Sequence, residues 1–522
     1  MGPWRRLAWV GVVSLCAAGL VACTADAEDD ADEGGDPVNV LPLVPAPQRA
    51  VALDGAPFTV SEATAVVAPP GAEDPATRVA EALRTASGFE VPVVQAASGG
   101  TAASGLVVLT LAVDVPDGPE AYRLTVDEAG VRLTARTVEG LHRGTATLGQ
   151  LLVGRSGAVS VPAVEVEDAP RYEWRGLSVD VARHFFPVED LEVLVDLIAG
   201  YKLNVLHLHL TDDQGWRIEM PSRPELVARS SGTAVDGASG GYYTADDWAR
   251  LVAYGAERGI VVVPEIDVPG HVNAALHAVP GLNESGEAVP EYTGIEVGFS
   301  GLRASLPETG PFLADVFGDL AAMTAGEYVH IGGDEADEVA PDEYARLVAT
   351  AAAEVRASGK QVVGWQEIAN APLEPGTVVQ YWREFNDPAP VVAAADAGAR
   401  VLMSPASRTY LDMKYEAGYP LGQDWAALIE LRDAYDWDPG AYLPGLDAAS
   451  VIGVEAAIWT ETLSTRDELT QMLLPRLAAV AEVAWSSSAR DFDDFAARIA
   501  PHGAAWDRAG LAWYASPQVD WP

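Results

Sequence analysis

Only two cysteines occur in 522 residues, and basic side chains are scarce: 33 Lys+Arg stand against 76 Asp+Glu, a formal net charge of -43. Cys16 lies inside an N-terminal export signal and Cys23 closes a lipobox-like Leu20-Val21-Ala22-Cys23. The exported chain therefore keeps no pair for a disulfide, and its core must hold without one. The shortage of Lys and Arg argues against nucleic acid as a partner and disfavours anionic membranes and polyanionic substrates. After the signal, no apolar run is long enough to span a membrane, and no internal repeat is found. Core-forming residues are not lacking. A hydrophobic content of 49% with 14 Trp excludes a disordered chain.

Arg5 and Arg6 precede an apolar stretch over residues 7–21, the layout of a signal that is cleaved on export. Residues 1–22 are read as a lipoprotein signal peptide, Cys23 as the lipidated residue and 23–40 as an acidic disordered tether. The expected location is the cell surface, with plain secretion as the alternative. Residues 41–167 alternate short strand-like runs (65–68, 105–111, 121–126, 131–135) with helical patterns at 77–86 and 137–153, which predicts a small α+β domain of mixed strand order. Over residues 168–522, eight strand-like runs alternate with helices: 176–181, 204–210, 260–265, 328–331, 361–365, 377–382, 400–403 and 451–458. That repeat predicts an α/β fold, a (β/α)8 TIM barrel that forms the catalytic domain.

Barrel enzymes carry their chemistry just past the strand ends. Those positions hold Arg183 and His184, Asp212 and Asp213, Asp267 and His271, Asp334 and Glu335, Trp365 and Glu367, Trp382, Tyr410 and Asp412, and Trp459 and Glu461. Carboxylates interleaved with indoles suit a sugar, whose apolar faces stack on aromatic rings while Asp, Glu and Arg satisfy its hydroxyls. The sharpest element is His330-Ile331-Gly332-Gly333-Asp334-Glu335, a strand that ends at two glycines and delivers adjacent carboxylates to the barrel mouth. Neighbours on a strand end diverge, so they are poorly placed to flank one glycosidic bond as acid and nucleophile. One can instead be a general acid with raised proton affinity while the other stays ionised. His207 and His209 share a strand face, a pattern that can bind metal, but no third ligand of suitable spacing accompanies them. They are read as barrel filling, and neither a metal nor another cofactor is expected. Trp506, Trp513 and Trp521 are read as packing on the barrel, since too few residues remain there to fold alone.

Four motifs then occur in order: Arg175-Gly176-Leu177 with Asp180-Val181-Ala182-Arg183-His184-Phe185; Leu206-His207-Leu208-His209-Leu210-Thr211-Asp212-Asp213; Pro264-Glu265-Ile266-Asp267-Val268-Pro269-Gly270-His271; and His330 to Glu335. With Tyr410-Leu411-Asp412 and Trp459-Thr460-Glu461, they make the chain resemble glycoside hydrolase family 20, the β-N-acetylhexosaminidases, over about residues 41–513. The resemblance implies exo-acting, retaining removal of terminal GlcNAc or GalNAc from β-linked oligosaccharides such as those of chitin. In that chemistry the substrate's own 2-acetamido oxygen attacks C1 and gives an oxazolinium intermediate. It assigns Glu335 as general acid and base, Asp334 to the acetamido N–H, and Tyr410 to the acetamido oxygen. Trp365, Trp382 and Trp459 would wall the acetamido pocket and ring, and Arg183, Asp412 and Glu461 would bind hydroxyls. Trp425 would line the leaving-group side, and Asp212, Asp267 and His271 would orient the acid pair. The residues alone leave two alternatives open: a two-carboxylate glycosidase using Glu461 or Asp267, or a glycan-binding lipoprotein without turnover.

Overall fold

The computed structural model describes residues 41–96, 104–152 and 159–522; the signal, Cys23 and the acidic tether fall outside them. The first part of the described chain is a seven-stranded mixed sheet in the order Arg49–Ala52, Val164–Asp168, Tyr122–Asp127, Gly130–Ala135, Leu106–Leu111, Ala65–Ala68, Val93–Gln95. Buried and half-buried side chains alternate along Tyr122–Asp127, as expected where one sheet face is turned to a core. Two helices pack on it, Glu73–Ser87 and Val138–Gln150. The first begins four residues before the expected start, because Pro75 is tolerated in a first helical turn, and it ends at Gly88 with φ 75°. Thr137 caps the second by accepting the Gly140 N–H. Arg49–Ala52, fully exposed at the sheet edge, shows no alternation that would have marked it as a strand.

The eight expected barrel strands are present, each within two residues of its expected ends, and they close in chain order, with Trp174–Asp180 pairing both Val205–His209 and Val451–Ile458. Because side chains alternate along each strand, the interior is layered. Val205, Val263, Val363, Val378, Leu402 and Ile452 fill the lower layer with Trp174. Two residues further along, the same strands place His207, Glu265, Trp365, Gln380 and Ser404 in a buried polar layer with His330 and Glu455. That layer is the floor of the mouth.

Charged staples join sheet and barrel. Glu120 accepts from Arg143 Nε at 2.7 Å and from Arg175 Nη2 at 2.6 Å, and Lys202 Nζ reaches Asp168 at 2.8 Å. Burial alone would raise the Glu120 carboxyl, but the two guanidiniums hold it down at about 2. Trp485 of the barrel belongs to the sheet domain's apolar core and donates to Asp168 at 3.0 Å. At the C-terminus Trp506 is buried, with Trp513 and Trp521 packed on it, as expected. No helix among the described residues is long and apolar enough to cross a membrane.

Candidate active site

The fourth barrel strand stops at His330, and Gly332 and Gly333 carry the chain onward with φ of 68° and 109°. A Cβ on Gly332 would fall 1.8 Å from Asp267 Oδ1, so only glycine fits that turn. Glu335 follows in the left-handed region, φ 45°, as does His271 at φ 54°. Such conformations are costly for residues with a Cβ and concentrate at functional sites.

The turn opens into a pocket of about 280 Å³ at the strand ends, lined by Arg183, Asp212, His271, Asp334, Glu335, Trp382, Tyr410, Trp425, Trp459 and Glu461. Three expected residues sit behind this surface. Trp365 is fully buried and donates from Nε1 to Glu265 at 2.8 Å, with its ring 5.7 Å from that of Trp459. Asp412 is buried beside Glu461, and Asp267 beneath Asp334, where its Oδ1 accepts the Gly333 N–H at 2.9 Å. Trp382 and Tyr410 lie parallel, 6.0 Å apart at 3°, and Trp425 stands nearly perpendicular to both.

Charge in the site is arranged around the acid pair. His271 Nε2 lies 3.6 Å from Asp334 Oδ2 and 3.7 Å from Glu335 Oε2, while its Nδ1 is 3.1 Å from Asp212 Oδ1. Burial opposes a charge on His271, yet Asp212 and Asp334 hold the imidazole well above its ordinary range. Asp212 is itself fixed by Arg183 Nη2 at 2.7 Å and His209 Nε2 at 3.0 Å. Burial, reinforced by the Asp334 charge, lifts Glu335 above the usual carboxylate range against the pull of His271 and Arg383. The same two causes drive Asp267 well above it. Burial and Asp334 also push Glu367 up to about 8, while its Oε2 accepts from Trp382 Nε1 at 3.1 Å.

Several polar atoms in or against the pocket are buried without a hydrogen-bond partner among the described residues: Arg183 Nε, Asp334 Oδ1, both Asp412 oxygens, Glu461 Oε2 and Trp459 Nε1. Buried polar groups are nearly always paired, so a concentration of unpaired ones marks a place for a polar ligand.

His207 and His209 differ from the expectation that no third group joins them. Glu265, on the neighbouring strand, lies 3.0 Å from His207 Nε2, 2.9 Å from His209 Nδ1 and 3.1 Å from His330 Nδ1; Glu455 takes His207 Nδ1 at 2.8 Å. Chain spacing could not show ligands that arrive from other strands. His207, Glu265 and His330 could hold an ion, but the Glu265 oxygens are already taken by hydrogen bonds from His209 Nδ1 at 2.9 Å and Trp365 Nε1 at 2.8 Å. His209, read as filling, is also part of the pocket lining. The sequence reading also omitted Arg383, Gln423, Ile295 and Val297, all in the lining. Arg383 directly follows Trp382 at a strand end and could have been found there; the other three lie in insertions with no strand to index them.

Residues 172–488 match the profile described as "Glycosyl hydrolase family 20, catalytic domain", and residues 40–169 match "Glycosyl hydrolase family 20, domain 2". The chain is 58% identical over 484 residues to a Cellulomonas fimi protein named beta-N-acetylhexosaminidase, covering 92% of this chain and 97% of that one. Among solved structures it resembles the Streptomyces plicatus N-acetyl-beta-hexosaminidase in complex with Thio-NAglucal, with TM-score 0.88 and 43% identity over 93% of this chain and 99% of that one. It also resembles the Vibrio harveyi exo beta-N-acetylglucosaminidase bound to N-acetylglucosamine, with TM-score 0.80 and 29% identity over 91% of this chain and 78% of that one.

Proposed function

The chain belongs to glycosyl hydrolase family 20, and from that membership together with its pocket we infer an exo-acting, retaining β-N-acetylhexosaminidase that works by substrate assistance. The observation that carries the reading is the set of unpaired buried acceptors and donors gathered around Glu335, a pocket-lining carboxyl of raised proton affinity. Arg183, Asp412 and Glu461 take the hydroxyls of a terminal N-acetylhexosamine, closing the pocket beyond that sugar. Asp334 accepts the acetamido N–H, and the Tyr410 hydroxyl donates to the acetamido oxygen. That oxygen attacks C1 as the glycosidic bond breaks, and Glu335 gives its proton to the leaving oxygen. Positive charge spreads onto the acetamido nitrogen beside Asp334, whose carboxylate is worth more in that state than in the substrate complex. Glu335, now ionised, takes a proton from water as the water adds to C1. The oxazolinium ring opens and the sugar leaves with its β configuration kept. Trp365, Trp382 and Trp459 hold the acetamido group in line and exclude other water. Asp267 and His271 orient the pair, and Asp212 orients His271.

Chromogen release from paired aryl β-glycosides tests this directly. GlcNAc and GalNAc glycosides should be cleaved and the glucoside, which lacks the acetamido nucleophile, should not. Comparable cleavage of the glucoside, or a glycosyl ester on Glu461 or Asp267 found by mass spectrometry, would favour a two-carboxylate mechanism. Cell-surface anchoring rests on Leu20 to Cys23. Wild type should fractionate with membranes and Cys23→Ser should not; wild type recovered only as unmodified soluble protein would refute the anchor.

A further inference from the structure

Glu367 follows the fifth barrel strand close to the acid pair, yet neither the sugar contacts nor the acid step gives it a task. It belongs to a short turn, Gln366–Asn370, directly after the strand Gln361–Trp365. On one side this segment underlies the glycines that deliver Asp334 and Glu335. Trp365 donates its N–H to the Gly332 carbonyl at 2.9 Å, and a Cβ on Gly333 would lie 2.6 Å from Ile368 Cγ2. Packing this close leaves the glycines no room to shift toward it.

On its other side the turn holds the residues that follow the sixth strand, Val378–Tyr381. Gln366 Oε1 accepts the N–H groups of both Trp382 and Arg383 at 2.9 Å, and its Nε2 donates to the Arg383 carbonyl at 3.2 Å. Glu367 Oε2 accepts from Trp382 Nε1 at 3.1 Å. The backbone and the indole of Trp382 are thus both held from one neighbouring turn. Two side-chain torsions set the direction of an indole, so a fixed backbone and a fixed Nε1 select one ring orientation. That orientation lies parallel to Tyr410, at 3°. Arg383, carried on the same stretch of backbone, places Nη1 3.3 Å from Glu335 Oε1.

Glu367 is better suited to holding than to reacting. Its proton affinity, raised to about 8, keeps it neutral at pH 6, so it adds no second charge beside Asp334. An indole N–H can only donate, and a neutral carboxyl still offers it an acceptor. Glu367 Oε1 stays buried without a hydrogen-bond partner among the described residues, a cost that a side chain kept only for packing would not carry.

We propose that Gln366 and Glu367 are positioning residues for the reaction, fixing the Trp382 wall of the acetamido pocket against the turn that carries Asp334 and Glu335, so that nucleophile and acid share one geometry. This role rests on the substrate-assisted reading, because only there must the acetamido oxygen be aimed at C1 while Glu335 faces the leaving oxygen. Aim of that kind is worth large factors in rate.

The test compares wild type with Glu367→Met, Glu367→Gln and Gln366→Met on nitrophenyl β-N-acetylglucosaminide at pH 6, and measures affinity for GlcNAc and for its thiazoline, a stable analogue of the cyclised intermediate. Glu367→Met removes the acceptor at similar volume. It should lower kcat about tenfold with a smaller change in KM, the scale of a misaimed reacting group. Thiazoline affinity should fall by a similar factor and GlcNAc affinity by less, since the wall is set for the cyclised state. Gln keeps a carbonyl for Trp382 Nε1, so Glu367→Gln should restore most of the loss. Gln366→Met should give the same signature from the backbone side, and it keeps the comparison readable if Glu367→Met does not fold. Lower thermal stability with kcat and the thiazoline-to-GlcNAc ratio unmoved would make the pair a packing feature and overturn the proposal, as would equal kcat losses in Glu367→Met and Glu367→Gln. A wild type that binds the thiazoline no more tightly than GlcNAc would sink the substrate-assisted reading itself, whereas the positioning role fails alone when wild type discriminates and the variants do so equally well.

Discussion

Two buried sets of charged groups lie in this molecule at opposite ends of the same barrel, and they are finished to different degrees. At the joint with the sheet domain, Glu120 meets Arg143 and Arg175, and Lys202 meets Asp168 while also donating to the Tyr122 hydroxyl at 2.9 Å. At the mouth, Asp412, Glu461, Asp334 and Arg183 keep buried atoms unpaired among the described residues. The proton affinities follow the same division: Glu120 is held low by its cations, whereas burial and a neighbouring carboxylate raise the others, Glu461 acting on Asp412 and Asp334 on both Asp267 and Glu335. Closed networks fix geometry, and unsatisfied ones store an affinity that a ligand can realise. The mouth is the part of the barrel that folding leaves incomplete.

The strongest way to break this contrast is at the mouth. Glu335→Gln should lower kcat by about 10²-fold or more on chitobiose, the scale of general acid catalysis, and less on a nitrophenyl glycoside whose leaving group needs little protonation. Equal losses on both substrates would remove Glu335 from that role. Asp334→Asn should cost roughly 10² in kcat with a smaller change in KM, because its charge matters most once the acetamido nitrogen becomes cationic. A KM effect alone would make Asp334 a binding residue only.

The same kind of substitution at the joint should cost stability. Glu120→Gln removes a carboxylate held at about 2 instead of its ordinary 4.5, a difference of about 3 kcal/mol at neutral pH. The folded value is depressed, so this stability is present above pH 4.5 and is lost as pH falls toward 2. Denaturant titrations at pH 7 and pH 3 should show wild type and variant converging at the lower pH. A constant gap would mean that packing around Arg143 and Arg175, and not the charge, is what was lost.

The two ends were not equally legible from sequence. Glycines before adjacent carboxylates, and polar residues at the ends of apolar strands, are local signals, so the pocket could be assembled strand by strand with few omissions. Glu120 gave no comparable signal: its partners are 23 and 55 residues away, and only the packing of a helix and a barrel strand brings them together. Glu265 escaped for the same reason, reaching His207 and His330 across strands. Ile295 and Val297 sit in an insertion, where no period of two or 3.6 indexes a side chain to a surface. Sequence periodicity reports what an element does for its own core, and it is silent where function depends on atoms that separate elements leave unpaired.

Arg383 supplies the smallest and most discriminating change, because it is the mouth's partly closed contact. Its Nη1 lies 3.3 Å from Glu335 Oε1, and both side chains keep some exposure, 30% and 19%. Glu335 is also faced by Asp334, which raises its proton affinity, and by His271 and Arg183, which lower it. Those three remain when Arg383 is replaced. Removing the guanidinium makes the ionised carboxylate less favourable, so Glu335 should hold its proton to higher pH. The acid form is the one needed at the leaving oxygen, and the alkaline limb of the kcat/KM profile should therefore move upward in Arg383→Gln. The shift should be about one pH unit or less, since a partly exposed pair is screened by water and salt. Arg383→Lys keeps the charge and should return the limb toward its wild-type position, and raising ionic strength should narrow the difference between wild type and Arg383→Gln. An alkaline limb that stays in place in Arg383→Gln, while Glu335→Gln abolishes it, would show that His271 and Arg183 set the acid without help from the leaving-group side.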